Sequence, residues 1–184
     1  MRKRVKQFLR ALGARITPAD RLFIGEYLSL GEQDLFYGMS VQDQFHCRMV
    51  SKDIITLADG RSDVEQRFLI RCALLHDVGR RWGDVSTWDK IAAVLLHYFL
   101  PEQTRRWARA GRGSRLDNLR HALHVSACHP QRGVALLRQI GVEAELLLII
   151  GAHHEPPSKK DPPALVLLRQ EDAWNRGVIP MAIK

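Results

Sequence analysis

The segment Leu74-Leu75-His76-Asp77-Val78-Gly79 decides how the rest of the chain is read. An apolar helical run carries a histidine and an aspartate side by side and then breaks at a glycine. Adjacent His and Asp are poorly explained as core residues, but they make sense as two ligands to one cation. A nitrogen and oxygen pair suits Zn, Mn, Fe or Co, and cation affinity offsets the cost of a carboxylate at the end of a buried helix. The bland alternative is a helix C-terminus with an exposed Asp and a capping glycine. The dipeptide alone does not choose between them; the flanking segments do.

Upstream, Thr17-Pro18 starts a helix in which Leu22, Phe23, Glu26, Tyr27 and Leu30 recur with helical period, and a short helix follows from about Glu32 to Met39. Ser40 is read as the N-cap of a longer helix from Val41 to about Ala58, with Asp43 in its first turn and Asp59-Gly60 as its stop. Its residues His46, Met49, Val50, Ile54 and Leu57 fall near one face, which turns His46 inward. The helix bearing the His-Asp pair is expected from Asp63 to about Asp77, with Phe68, Leu69, Cys72, Leu75 and His76 as its inward stripe.

Downstream, Arg80 to Ser86 reads as a loop beside the pair, and Thr87 to Leu100 as a helix buried around Ala92 to Leu96. Pro101 opens a basic helical region with Arg105, Arg106, Arg109, Arg112 and Arg115, interrupted at Gly111 and Gly113. Leu116 to Cys128 is one helix. His129-Pro130 opens another, with the proline in the first turn where its missing N–H costs nothing, and Gly141 stops it. A strongly apolar helix runs from Val142 to about His153 and ends before Pro156-Pro157; the last starts at Pro162 or Pro163 and closes at Gly177. There is no convincing strand, repeat or low-complexity tract. The fold class is all-α, a single-domain multi-helix bundle, with an N-terminal helical extension over 1–39, the ligand-bearing domain over 40–177 and a tail over 178–184.

At 184 residues the chain holds one well-buried core and not two comfortable domains. No apolar run approaches the roughly 20 residues that span a bilayer. Met1 to Arg15 is basic and amphipathic but lacks a signal peptide's apolar stretch and cleavage site. It reads as a solvated surface helix or as a contact with a membrane surface or an acidic partner. The formal charge of +8 suits phosphorylated ligands and nucleic acid alike, yet no aromatic-interleaved basic surface or DNA-binding motif is present, so nucleic acid is not expected. Cys47, Cys72 and Cys128 are odd in number and form no CxxC, which argues against a disulfide framework and for a reducing cytoplasm. Cys47 and Cys128 are read as packing residues.

Taken in order, the ligand candidates are His46, His76, Asp77, His129, His153, His154 and Asp172, all on helices or at helix ends. They are the nitrogen and carboxylate set that one or two divalent cations need, with Fe, Mn, Zn, Co and Ni all compatible. In this set the chain resembles the HD-domain superfamily of metal-dependent phosphohydrolases. That pattern is a His on one helix, His-Asp on the next and Asp on a later helix, matched by His46, His76-Asp77 and Asp172. The fuller pattern is similar to the HDIG and HD-GYP branches, where a His-Pro-x-x-Gly and a His-His-Glu supply further ligands. Here these read His129-Pro130-Gln131-Arg132-Gly133 and His153-His154-Glu155. The resemblance covers about Val41 to Gly177. The Gly-Tyr-Pro that should follow His-His-Glu is absent, and the stretch from Asp77 to His129 is longer and rich in arginine, which points away from a cyclic-di-GMP phosphodiesterase. Arg80 stands where the family usually has Lys and offers a phosphate oxygen a fork of donors.

The resemblance implies that Asp77 bridges two cations and that a metal-activated water attacks the phosphate ester of a nucleotide or another phosphorylated small molecule. Arg80, and less directly Arg81 or Lys90, would neutralise the developing charge. A one-metal version would use His46, His76, Asp77 and Asp172, leaving His129 and the His153-His154 pair as supports or phosphate contacts. Helical rotation of about 100° per residue argues against His153 and His154 facing one ion. Glu155 would orient a neighbour, His97 is read as a hydrogen-bonded core residue, and His121 and His124 are open to metal binding, packing or substrate contact. The arginine-rich stretch is a solvated face or an electrostatic funnel. Two other function classes stay open: a di-iron oxygenase, and a catalytically silent sensor that binds metal or nucleotide. The oligomeric state is not specified by any of these features.

Overall fold

The computed structural model describes residues 13–175, without the side chains of residues 97, 98 and 101. The expectations for the N-terminal stretch before residue 13, for the 178–184 tail and for the His97 side chain lie outside the described residues. Within them the chain is all-α, with nine helices and no strand: α1 (Pro18–Tyr27), α2 (Leu30–Tyr37), α3 (Val41–Leu57), α4 (Gln66–Leu75), α5 (Thr87–Phe99), α6 (Pro101–Trp107), α7 (Arg115–Gln139), α8 (Ala144–Ala152) and α9 (Pro163–Asn175). None of these is long and apolar enough to cross a membrane.

Local sequence sets most helix starts. Thr17, Ser29, Ser40, Ser86 and Ser114 each accept a hydrogen bond from the backbone N–H of an acidic residue three positions on, namely Asp20, Glu32, Asp43, Asp89 and Asp117. Each such cap stabilises its helix by about 1 kcal/mol. Where the expected start fails, a competing pair explains it. Asp63 is held by Arg61 at 2.9 and 2.6 Å, so α4 begins at Gln66, and His76 becomes its C-cap.

Two helices that Pro130 was expected to separate are instead the single α7, with the proline inside it. An internal proline costs a helix about 3 kcal/mol, partly through the hydrogen bond it cannot donate to the carbonyl four residues back. That carbonyl, Ser126 O, has another partner here: His129 Nδ1 lies 2.8 Å away.

The core is built from α3, α4, α8 and α9, with Val50, Ile54, Leu69, Leu74, Leu75, Ile149, Ile150 and Leu168 buried together. α3 packs on α4 and α9, α7 packs on α8, and α8 also touches α4, so five helices are drawn together. Ile24 and Leu28 of the α1 region and Phe36 of α2 join the same core. On α3 the buried stripe is Gln44, Cys47, Val50, Ser51 and Ile54, about one position round from the expected face. His46 therefore stands at the stripe's edge, with 21% of its side chain exposed.

α5 departs further from expectation. It was read as buried around Ala92 to Leu96, yet Val94 is 62% and Leu95 50% exposed. Its inner side meets α7 through Ala93 against Ala122 and Leu123, while Val94, Leu95 and Phe99 elsewhere on it are exposed.

Arg71 ties three elements together. It donates to Glu32 Oε1 at 2.7 Å and to Glu143 Oε1 at 2.5 Å, and the Glu32 side chain is only 3% exposed. Arg71→Ala leaves that carboxylate buried without its cation, and we expect a loss of about 3 kcal/mol, a fall in Tm on the order of 10 °C. Burial works against the charge of Glu143, but the Arg71 guanidinium holds its carboxyl below the usual range. The contribution of this pair is complete above the unfolded-state carboxyl pKa and is lost as pH falls through the lower folded one. Urea unfolding of both proteins as a function of pH should show their stabilities converging in acid.

Candidate metal centre

All seven ligand candidates meet at one place. His46 on α3 and Asp172 on α9 approach to 2.8 Å (Nε2 to Oδ1). His76 Nε2, at the end of α4, lies 3.4 Å from the same Asp172 oxygen and 3.7 Å from Asp77 Oδ2. The other Asp77 oxygen, Oδ1, faces α7 and lies 3.0 Å from His129 Nε2. The His153 ring is 5.3 Å from those of His76 and His129, and His154 brings Nδ1 to 4.0 Å from Asp172 Oδ2. Two of the resulting sets, His46-His76-Asp172 and Asp77-His129-His153-His154, contain all seven candidates, and a third, Cys47-His76-Asp77, overlaps both; each offers ligand atoms within 4.8 Å of one another. His153 and His154 share a set because α8 stops at Ala152 and the pair lies beyond its last turn, with ring centroids 4.1 Å apart.

The imidazoles are oriented by a common device. His76 Nδ1 lies 2.8 Å from Ala73 O, His129 Nδ1 2.8 Å from Ser126 O, and His153 Nδ1 2.6 Å from Ile150 O. A carbonyl only accepts, so each Nδ1 carries a proton and each Nε2 is the nitrogen left to ligate a cation; around His76, burial works against a charge, but the Asp77 and Asp172 carboxylates hold the ring's pKa above its ordinary value. The carbonyls are ones that a helix leaves over. Ala73 and Ile150 are in the last four residues of α4 and α8, whose carbonyls lack an intrahelical partner, and Ser126 loses its partner to Pro130. One stereochemical need, a second acceptor for a ligating histidine, is thus met at two helix ends and at one proline gap.

Nε2 of His76 and of His153 are buried with no hydrogen-bond partner. Burial, with His76 and His129 alongside, pushes His153 down to about 3, so it is neutral over the physiological range. Buried ring nitrogens without a hydrogen-bond partner carry a desolvation cost that a cation would relieve. The donor set fits one or two divalent cations on this observation.

The position of Asp77 relative to α7 depends on a close backbone contact. A Cβ on Gly79 would lie 2.0 Å from His129 O and 2.7 Å from Gly133 N. Gly79 has no positive φ, so space and not conformation demands glycine. On the far side, Arg169 of α9 donates to Ala152 O at 2.7 Å and pairs with Asp161 at 2.5 Å, which holds the segment carrying His153 and His154.

The remaining candidates divide. Arg80 donates from Nε to Asp77 Oδ1 at 3.1 Å, reaches within 3.5 Å of His129 Nε2, and lines with Asp43, His46 and Asp77 an open cleft of about 140 Å³. Arg81 is not part of this site: its guanidinium lies on Gly38 and donates to Leu35 O at 2.6 Å, capping α2. Lys90 is paired with Asp43 at the rim of the cleft and donates to Ser40 Oγ at 3.1 Å. Cys47 packs 3.7 Å from His76 Nδ1, and burial pushes its thiol up, so it stays protonated. Glu155 is exposed, and its backbone N–H donates to Ala152 O. His121 accepts from Gly111 N at 3.3 Å, and neither it nor His124 joins a ligand set among the described residues. Arg112 donates to the carbonyl of Asp84 at 2.6 Å and Arg132 pairs with its carboxylate at 2.6 Å, so part of the arginine-rich stretch braces the loop after Gly79.

Arg169, Asp43 and the three carbonyls had no signature that the sequence alone would reveal. Gly79 and Pro130 were visible in it, but their reasons, a close approach and a vacated carbonyl, were not. Compared with known proteins, the chain matches no family model, no curated protein and no solved structure.

Two substitutions test this account. Pro130→Ala restores a backbone donor that competes with His129 for Ser126 O; metal affinity should fall by about tenfold, with thermal stability unchanged or higher because alanine suits a helix interior better. Gly79→Ala should cost about 3 kcal/mol or more and abolish metal retention, read by thermal unfolding and elemental analysis. Unaltered metal affinity in the proline variant would overturn the tautomer argument.

Proposed function

We propose that the chain is a metal-dependent phosphohydrolase of the HD type, acting on a nucleotide or another phosphate ester. The observation that carries this reading is the two-sided use of Asp77. Its Oδ1 faces His129 and its Oδ2 faces His76 and His46, so one carboxylate stands between two adjoining ligand sets. His46, His76 and Asp172 would hold one cation and His129, His153 and His154 the other, with Asp77 shared. Two divalent cations so placed supply a water acidified toward neutrality and positive charge for the phosphoryl oxygens.

The chain's own residues account for the rest of the chemistry. The Nδ1–H to carbonyl bonds keep three imidazoles aimed before any ligand arrives, so little reorganisation accompanies binding. Arg80 lines the open side of the site, and its planar donors can turn from Asp77 to a phosphoryl oxygen as negative charge builds there. His46, at the edge of its helix's buried stripe, borders the cleft by which substrate and water would enter. Asp43, paired with Lys90 and one turn before His46 on α3, also lines the cleft and offers an acceptor to a hydroxyl of the substrate.

Protein purified without chelator should carry two divalent metals per chain by elemental analysis, and His46→Ala and His129→Ala should each lose one. Hydrolysis of p-nitrophenyl phosphate and bis-p-nitrophenyl phosphate should follow metal loading. Asp77→Asn should lower kcat/KM by about a thousandfold or more, and Arg80→Ala by about a hundredfold with partial recovery in Arg80→Lys. Full metal loading with no turnover of either ester or of a nucleotide panel would favour a silent sensor, and iron-specific oxygen uptake would favour an oxygenase.

A further inference from the structure

Helix α5 shows solvent a face that helices on the surface of globular proteins do not ordinarily leave bare. Residues 91–100, Ile-Ala-Ala-Val-Leu-Leu-His-Tyr-Phe-Leu, include no Asp, Glu, Lys or Arg. At about 100° per residue, Trp88, Leu95 and Phe99 fall within roughly 40° of one another, with Val94 flanking them. They are 79%, 50%, 70% and 62% exposed. Trp82, in the loop before the helix, is 79% exposed as well. A lone exposed leucine needs no explanation, but an apolar arc on a helical stretch without charged residues marks a surface that something covers.

The charge that follows this arc along the chain selects the occupant. Residues 101–115 carry Arg105, Arg106, Arg109, Arg112 and Arg115 against one acidic residue, Glu102, and all five arginines are exposed. Trp107, 45% exposed, sits among them. A second copy of this chain, with its net charge of +8, would bring the same basic rim towards itself. An anionic bilayer matches both features: the apolar arc enters the acyl boundary while arginine and tryptophan lie at headgroup level. We infer that the exposed face of α5, with the arginines that follow it, is a docking surface for an anionic membrane.

The test uses the full chain with vesicles of phosphatidylcholine alone and of phosphatidylcholine mixed with phosphatidylglycerol, followed by cosedimentation and tryptophan emission. Trp82, Trp88 and Trp107 belong to the surface, so binding should move the emission to shorter wavelength. Binding to the anionic vesicles should be at least about tenfold tighter and should weaken with added salt. Leu95→Glu with Phe99→Glu should reduce it by about tenfold or more, and Arg105→Glu with Arg106→Glu should do the same without touching the core. Thermal unfolding, metal content and solution mass should stay as in the parent. The basic stretch before residue 13 is intact in every variant, so binding that survives the Leu95 and Phe99 changes would overturn the assignment. So would failure of the parent to bind, or a dimer that the same changes split.

Discussion

The backbones of Gly79 and α7 lie in direct contact, and the candidate site depends on that approach. A methyl group on Gly79 would sit 2.0 Å from the carbonyl oxygen of His129 and 2.7 Å from the backbone nitrogen of Gly133, one turn further on, where a methyl group would itself come within 3.4 Å of Gly79 N. The contact sets the separation between the turn that carries Asp77 and the helix that carries His129, which lie 3.0 Å apart at their side-chain atoms. Close packing gives such a junction no slack, because displaced backbone has neither a rotamer to change nor a void to enter. Two glycines separated by many residues in the chain are therefore one structural element.

The histidines solve a second constraint. A buried imidazole needs a partner for one nitrogen if the other is to remain a lone pair, and side-chain acceptors are scarce inside an apolar bundle. The fold uses backbone carbonyls that helices cannot satisfy themselves. This explains why ligands cluster at helix ends: α4 ends at Leu75, next to His76, and α8 ends at Ala152, next to His153. It also explains how a proline is accommodated inside α7, since the bond it forfeits is replaced by one from the residue before it. Helix termini, usually sites of incomplete hydrogen bonding, here orient the polar centre.

Around that centre the molecule is unevenly covered. Apolar side chains of α3, α4, α8 and α9 enclose it from below, with His76, His129, His153, Asp77 and Asp172 all buried. Burying two carboxylates so closely among imidazoles is costly without a cation, and the core must be well packed to hold them. The opposite end is lighter: α5 and α6 rest on α7 through a small cluster around Ala93, Ala122 and Leu123. The stable half carries the polar centre, and the half with little core carries the apolar and basic outer face.

The sequence by itself determined the helical class, nearly all helix starts and the seven polar residues that converge. These are local properties: apolar period, Ser or Thr followed three residues later by an acid, and uncommon pairs such as His76-Asp77 are written in short windows. Tertiary structure decided what depends on partners distant in the chain. It joined two expected helices across Pro130, turned His46 to the edge of its stripe, assigned Arg81 to the end of α2, and left the outer face of α5 uncovered. It also gathered the ligand candidates into overlapping groups around Asp77. Periodicity reports that a residue is apolar or where it falls on its own helix, but which neighbour meets that face, and at what distance, is fixed only when the helices pack.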